Sequence, residues 1–186
     1  MYQDHDDPWE QGARHEKDLS KAVALHLCQA YGFRKICELG CGHGHFTNML
    51  HTAGFEALGV DIAPTAVKKA SLLYPHCRFI VGDVLNFSIL KRFQPDCIIM
   101  SELTWYILDR LDEFLERYKK WEGFPERRPY LLHTLTTYPK GVQKYGVEKF
   151  TDLEGILRYF SLDYEVYGSV SGKVLDGSAI TYFLGN

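Results

Sequence analysis

The 186-residue sequence has no excess of basic residues, no long apolar run and no linker rich in Pro, Gly or Ser. Its 21 Lys and Arg residues against 24 Asp and Glu residues give a formal charge of −3, so the basic field typical of duplex-binding modules is missing and no nucleic-acid partner is expected. No apolar stretch approaches the ~20 residues of a membrane span, so no membrane partner is expected. The acidic start at residues 1–7 does not read as a signal peptide.

Paired cysteine motifs are also missing. The five cysteines are odd in number and none has C-x-x-C spacing, which excludes a disulfide framework. Cys41, His43 and His45 alternate, but structural zinc needs four ligands, usually in two pairs, and no second pair stands nearby. We therefore predict reduced thiols, no metal site and a cytoplasmic location. His43 stays a candidate for ligand contact.

Short apolar runs alternate with helical patterns over most of the chain. The alternation predicts a mostly parallel sheet that is covered on both faces. The predicted strands are Ile36–Leu39, Ala57–Asp61, Arg78–Val81, Cys97–Met100 and Tyr130–Leu135. The predicted helices are Ala13–Tyr31, His43–Thr52, Pro64–Leu73 and Leu108–Trp121.

The C-terminal part of the sequence has a different pattern. After a predicted helix at Leu153–Phe160, two strand-like runs, Tyr164–Val170 and Ala179–Leu184, flank a stretch with Gly172 and Gly177. This pattern predicts an antiparallel hairpin. The expected fold is α/β, a single Rossmann-like doubly wound sheet, mostly parallel with a C-terminal antiparallel hairpin. The length predicts one domain over residues 1–186.

The strongest motif is the glycine-rich segment Glu38–Gly44, between a predicted strand and a predicted helix. Glycines there let the backbone approach a ligand and leave helix N–H groups available. Asp61 ends the second strand, where a carboxylate can accept bonds from ribose hydroxyls. Asp83 follows the third strand, where an acceptor can meet an adenine amino group. The pattern therefore predicts an adenosine-containing ligand.

The acid in front of the glycines narrows the choice of ligand. The loop is G-x-G-x-G, and Glu38 would repel a pyrophosphate but not an adenosyl ligand that carries an ammonium and a sulfonium. A nicotinamide-dependent Rossmann oxidoreductase remains an alternative, as does a non-catalytic subunit that binds S-adenosylmethionine.

These motifs resemble those of the class I S-adenosylmethionine-dependent methyltransferases, over about residues 35–135. The resemblance rests on Glu38–Gly44, on Asp61, on Asp83 with Val84, and on the fourth-strand motif Asp96–Glu102. It implies S-adenosyl-L-methionine as the cofactor and the seven-stranded methyltransferase fold. The cofactor site that it implies comprises Trp9, Glu38, Gly40, Cys41, Gly42, His43, Asp61, Ile62, Asp83, Val84 and Ser101.

A narrower similarity concerns two segments. Asp7-Pro8-Trp9 and Ser101–Tyr106 are similar to the rhizobial nodulation-type (NodS-like) small-molecule N-methyltransferases of amino sugars. That family commonly has an aromatic pair near the position of Trp105 and Tyr106. We expect residues 1–32 to form an arm and helix that close over the site as a lid, with Trp9 covering it. The alternative is that Trp9 packs on a distant edge of the core.

The candidate catalytic residues are Glu102, His133 and Tyr106. Glu102 follows the fourth strand and could orient the amino group of the cofactor or act as a base on the acceptor; otherwise it is a solvated loop acid. His133 is the other candidate base. Trp105 and Tyr106 either line the acceptor site or form a core pair. Lys140 and Lys144, between Tyr138 and Tyr145, could hold an anionic acceptor.

The expected activity is therefore methyl transfer from S-adenosylmethionine to a small polar acceptor. The chain has no insertion large enough to grip a macromolecule, so a sugar, a sugar nucleotide or a phosphorylated metabolite is favoured. The sequence leaves open whether nitrogen or oxygen is methylated, whether a base is used and whether the protein is a homodimer.

Overall fold

The computed structural model describes residues 19–121, 128–138, 141–161, 166–173 and 179–185. The chain divides between residues 98 and 99 into two compact units. Most of the predicted N-terminal arm, with Trp9, lies outside the described residues, and the lid stays a prediction. The single-domain expectation also stays a prediction. None of the helices in the described ranges is long and apolar enough to cross a membrane.

The elements alternate along the chain as expected. The helices are α1 Leu19–Ala30, α2 His45–Thr52, α3 Pro64–Leu73, α4 Phe87–Phe93, α5 Leu111–Lys119 and α6 Leu153–Ser161. The strands are β1 Lys35–Leu39, β2 Glu56–Asp61, β3 Arg78–Val81, β4 Cys97–Ser101, β5 Tyr130–Thr137, β6 Val166–Lys173 and β7 Ala179–Gly185.

The first unit contains three parallel strands in the order β3-β2-β1. The apolar residues of β1 and β2 are buried, as in the pair Leu39 and Val60, which are in register, whereas those of the outer strand β3 are half-buried or exposed. Asp61 is in register with Val81. Because the carboxyl ends of parallel strands share one edge of a sheet, the loop after β1, the end of β2 and the turn after β3 come together.

The C-terminal strands in the second unit are antiparallel. β7 pairs with β5 on one side and with β6 on the other, in both cases antiparallel. The predicted hairpin is therefore confirmed, although β6 extends to Lys173, so Gly172 lies within the strand and not in the connection. The strands near the start of the chain are parallel and those at its end are antiparallel, which confirms the predicted α/β fold class.

Two local predictions were wrong. Helix α4 was not expected; it has seven residues and buries Phe87, Leu90 and Phe93, which lie three apart on one face. The helix predicted over Leu108–Trp121 is shorter, Leu111–Lys119, because a 3₁₀ turn at Thr104–Tyr106 is followed by a further turn at residues 108–110. Short turns of this kind have too little periodicity to be recognised from sequence.

Replacing Gly44 with alanine is expected to destabilise the first unit by about 2–4 kcal/mol, which urea unfolding would measure. Gly44 has φ 79°, and a Cβ there would lie 2.5 Å from the Phe79 ring. Gly32→Ala is the matched control, since Gly32 has φ 67° but no atom within 4 Å of its added Cβ, and only the strained backbone conformation is penalised. Equal losses of stability in the two variants would contradict the role given to Phe79.

Candidate functional site

The glycine-rich loop is fixed to the end of β2. Gly40, Gly42 and Gly44 have φ values of 74°, 53° and 79°, the left-handed region that favours glycine. The backbone N–H groups of Gly40 and Cys41 both donate to the carbonyl of Val60, over 2.8 and 3.1 Å. Cys41 and His43, two of the predicted cofactor residues, are buried.

Asp61 holds this loop by its carboxylate. One oxygen accepts a hydrogen bond from the N–H of Gly42 over 2.9 Å, and the other accepts from the N–H of Ala63 over 2.9 Å. The side chain is buried, whereas the next residue, Ile62, is 64% exposed. Asp61 therefore sets the position of the loop in addition to its predicted role toward a ribose, a function that sequence reasoning missed.

Glu38 is a buried acid beside that loop. Its carboxylate accepts a hydrogen bond from the Thr47 hydroxyl over 2.5 Å. Burial raises the pKa of Glu38 to about 7; the Thr47 bond and the charge of Lys21 oppose this, and the charge of Asp61 adds to it. Two carboxylates in one buried place favour a cation, and the ammonium and sulfonium of S-adenosylmethionine fit that requirement.

The affinity for S-adenosylmethionine is expected to rise with pH and level off above about pH 7. A cationic ligand prefers the ionised form of Glu38, and the folded protein holds that proton up to a pKa of about 7. At pH values below this pKa, the affinity should fall by up to about tenfold for each pH unit. Calorimetry near neutral pH in buffers of different ionisation enthalpy should detect proton release on binding.

The Glu38→Gln variant provides the control for that experiment. It keeps an oxygen for the Thr47 hydroxyl but cannot titrate, so both the pH dependence and the proton release should disappear. The same group affects stability: its pKa is higher when folded than when unfolded, so wild-type stability should fall as the pH rises from about 4.5 to about 7. Unchanged proton release in Glu38→Gln would contradict this assignment.

Asp83 shapes the turn that follows β3. Its carboxylate accepts a hydrogen bond from the N–H of Leu85 over 2.8 Å, and its carbonyl accepts one from the N–H of Asn86 over 2.8 Å. Asp83 and Val84 are half-buried. The first unit thus brings the predicted cofactor residues of β1, β2 and β3 to one edge of its sheet.

Glu102 lies in the second unit, directly after β4, with a strained backbone. It has φ 54°, and the only other non-glycine residue with positive φ in the described ranges is Gln94. Its N–H donates to the carbonyl of Thr134 over 2.7 Å, and its carboxylate accepts from the N–H of Thr136 over 2.9 Å. Strain maintained by such bonds is typical of functional sites. Ser101, next to it, accepts a bond from the Thr134 hydroxyl over 3.0 Å.

Aromatic side chains surround this acid. The Trp105 indole donates to the carbonyl of Thr136 over 3.0 Å, and its ring lies 6.3 Å from that of Tyr138. Tyr106 is 59% exposed. Burial raises its pKa, and the charges of Glu102 and Tyr138 add to this effect. A carboxylate among exposed rings suits a polar or cationic ligand group.

His133 lies in a different environment. It is fully buried in β5, 4.4 Å from the Phe160 ring, and its Nδ1 lies 3.3 Å from the Thr104 hydroxyl. Burial lowers the pKa of His133 to about 3, so the ring is neutral at physiological pH. This environment weighs against a role as base. Lys144 is exposed, and Lys140 lies outside the described residues.

Comparison with known proteins relates this chain to methyltransferases. A family model described as "Methyltransferase domain" matches residues 36–121. Nodulation protein S of Bradyrhizobium diazoefficiens is 28% identical over 108 residues, which cover 56% of this chain and 51% of that protein. Phosphoethanolamine N-methyltransferase 1 of Zea mays is 29% identical over 102 residues, which cover 52% of this chain and 20% of that protein. The chain thus spans about half the length of the first of these relatives and a fifth of the second.

The fold is shared more widely than the sequence. The crystal structure of the N-methyltransferase NodS from Bradyrhizobium japonicum WM9, in complex with S-adenosyl-L-homocysteine, superposes on 98% of this chain and 93% of its own. The TM-score is 0.71 and the identity 18%. The predicted methyltransferase fold is therefore confirmed. With the match over residues 36–121, the comparisons support the predicted resemblance to the class I S-adenosylmethionine-dependent methyltransferases, and among them to NodS.

Proposed function

We propose that the protein transfers the methyl group of S-adenosylmethionine to an amine nitrogen on a small polar acceptor. The observation that carries this proposal is Glu102, held at positive φ by two hydrogen bonds to β5 and surrounded by Tyr106, Tyr138 and Trp105. An aliphatic amine is largely protonated at neutral pH before it reacts, and a carboxylate and tyrosine rings attract this cation more than a neutral hydroxyl.

The cofactor would be held by the residues of the first unit. Glu38 would pair with its ammonium, Asp61 would accept from its ribose hydroxyls, and Asp83 with Val84 and Ile62 would contact adenine. The fit rests on the buried carboxylate pair and on the left-handed glycines, which keep side chains away from the loop surface. When bound, S-adenosylmethionine supplies an electrophilic methyl group, so the protein needs mainly to position the acceptor and exclude water.

The residues of the second unit would position the acceptor. Glu102 would accept a hydrogen bond from the amine N–H, and this bond would point the nitrogen lone pair away from the carboxylate. After methyl transfer, the Glu102 carboxylate could receive the proton that the product ammonium loses. Tyr106 would stay protonated, since its pKa is raised, and would act as a hydrogen-bond donor or as a wall. We assign His133 to core packing, because it is fully buried beside Phe160.

The proposed acceptor is an amine on a sugar, a sugar nucleotide or a phosphorylated metabolite. Two relatives support nitrogen over oxygen, since both the maize enzyme and the solved NodS structure are described as N-methyltransferases. Lys144 and the exposed Tyr145 would contact an anionic group of such an acceptor. We further propose a cytoplasmic protein whose partner is this small molecule; a homodimer stays a prediction.

Binding calorimetry tests the proposed cofactor first. S-adenosylmethionine and S-adenosylhomocysteine should bind with similar affinity, and NADH should give no heat. Binding of NADH instead would favour an oxidoreductase. A second assay, with labelled S-adenosylmethionine and pools of small metabolites, separates an enzyme from a subunit that only binds the cofactor, since only the enzyme yields labelled metabolites.

A further inference from the structure

A cavity of about 250 Å³ opens at the surface of the first unit, between α4 and strands β2 and β3. Its polar lining comprises Arg78, Arg92, Asn86 and Ser88, and its apolar wall includes Leu58 and Phe93. The cavity follows β3 from Arg78, its first residue, to Val81, its last. None of the lining residues belongs to the cofactor or acceptor residues assigned above.

Positive charge around this cavity is left largely uncompensated. Over the described ranges, no acidic side chain forms an ion pair with Arg78 or Arg92. A third cation is close by, since Lys35 Nζ and Arg78 Cζ lie 4.9 and 6.0 Å from the centroid of the Phe93 ring. The charge of Lys35 is balanced by Glu56, which lies 3.5 Å away. The guanidinium charges of Arg78 and Arg92 therefore remain available to a ligand.

The lining groups match one ligand chemistry. A guanidinium presents a fork of N–H donors that suits the oxygens of phosphate, and two guanidiniums balance a dianion. The Ser88 hydroxyl donates to the Asn86 side-chain oxygen over 2.5 Å, which leaves the Asn86 amide nitrogen as a further donor. The volume lies below the ~300–1,000 Å³ of drug-sized ligand sites, so the ligand should be small.

We propose that this cavity binds a phosphate dianion, either inorganic or as the head of a small monoester. The site does not depend on the proposed function, because none of its lining residues is a cofactor or acceptor residue assigned above. It gives the first unit a second ligand site besides that of the cofactor.

Thermal unfolding with sodium phosphate, against sodium chloride of equal ionic strength, tests this site. At a phosphate concentration ten times its dissociation constant, the wild-type melting temperature should rise by about 3–6 °C over chloride. The rise should persist with saturating S-adenosylhomocysteine, which separates this cavity from the cofactor site. A parallel titration with glycerol 3-phosphate distinguishes a monoester from free phosphate as the ligand. A larger rise in melting temperature than with phosphate indicates a monoester, and a smaller rise indicates the free ion.

Charge-matched variants make the test specific. Arg78→Ala/Arg92→Ala should lose the phosphate effect, and Arg78→Lys/Arg92→Lys should keep only part of it, since lysine lacks the fork. Arg117→Ala/Arg158→Ala also removes two arginines, each paired with a glutamate on its own helix, and should retain the full effect. The absence of a phosphate effect in the wild type, or an equal effect in Arg78→Ala/Arg92→Ala, would overturn the proposal.

Discussion

Replacing Asp61 with alanine is expected to weaken the binding of S-adenosylhomocysteine at least about tenfold. The change removes the proposed bonds to the ribose, and hydrogen bonds to a charged group contribute about 1.5–3 kcal/mol. It also removes the acceptor of the Gly42 N–H and the Ala63 N–H, so the glycine loop loses its support. Calorimetric titration of the variant measures the change in the dissociation constant.

Asp96→Ala is the matched control for that experiment. A single oxygen of Asp96 accepts hydrogen bonds from the N–H groups of Arg34 and Lys35, over 2.7 and 2.9 Å, in the same unit. Both substitutions therefore remove a carboxylate that binds two backbone N–H groups, and both should lower stability. Only Asp61→Ala should lower cofactor affinity. If the two variants bound S-adenosylhomocysteine equally well, Asp61 would not be part of the cofactor site.

The Glu102→Gln variant is expected to lower kcat/KM for an amine acceptor by about 10²–10³-fold. Glutamine keeps an oxygen that can accept the Thr136 N–H, so the backbone at φ 54° should be retained. What is lost is the negative charge that would orient the amine and take up its proton. Steady-state kinetics measures the rate, and an unchanged affinity for S-adenosylhomocysteine would show that the cofactor site is intact.

Two further variants define what the loss at Glu102 means. Glu113→Gln neutralises an exposed acid that pairs with Arg117 on α5, and should leave the kinetics unchanged. Tyr106→Phe removes a hydroxyl near Glu102 but keeps the ring, so it should have a smaller effect than Glu102→Gln. A wild-type rate in Glu102→Gln would show that Glu102 only maintains the turn after β4.

The strands were the most predictable part of the fold. Runs such as Cys97–Met100 are buried along their whole length, and an apolar run of that length with glycines or polar residues at its ends leaves few alternatives. The acid at the end of β2 was predictable for the same reason, because the position of Asp61 follows from the strand in front of it. Helix α4 was not, since seven residues give barely two turns.

The interactions that shape the site were not visible in the sequence. Nothing in the spacing indicates that Asp61 binds the N–H of Gly42, or that Glu102 takes a left-handed conformation. Both depend on contacts between residues that are far apart in the sequence: Gly42 and Asp61 are separated by 19 positions, and Glu102 and Thr136 by 34. The Phe79 ring against Gly44 is a similar case: the glycine looks like a ligand-binding feature, yet the added Cβ would meet a side chain of the protein.

Methyl transfer to an amine is tested most directly by measuring the transfer of labelled methyl from S-adenosylmethionine to paired acceptors. Each pair should consist of an amine and the matching alcohol, such as glucosamine with glucose, and phosphoethanolamine with ethylene glycol monophosphate. We expect labelled product from at least one amine, none from its alcohol, and much less product with Glu102→Gln. Labelled alcohol, or no labelled product despite cofactor binding and a broad set of amines, would contradict it.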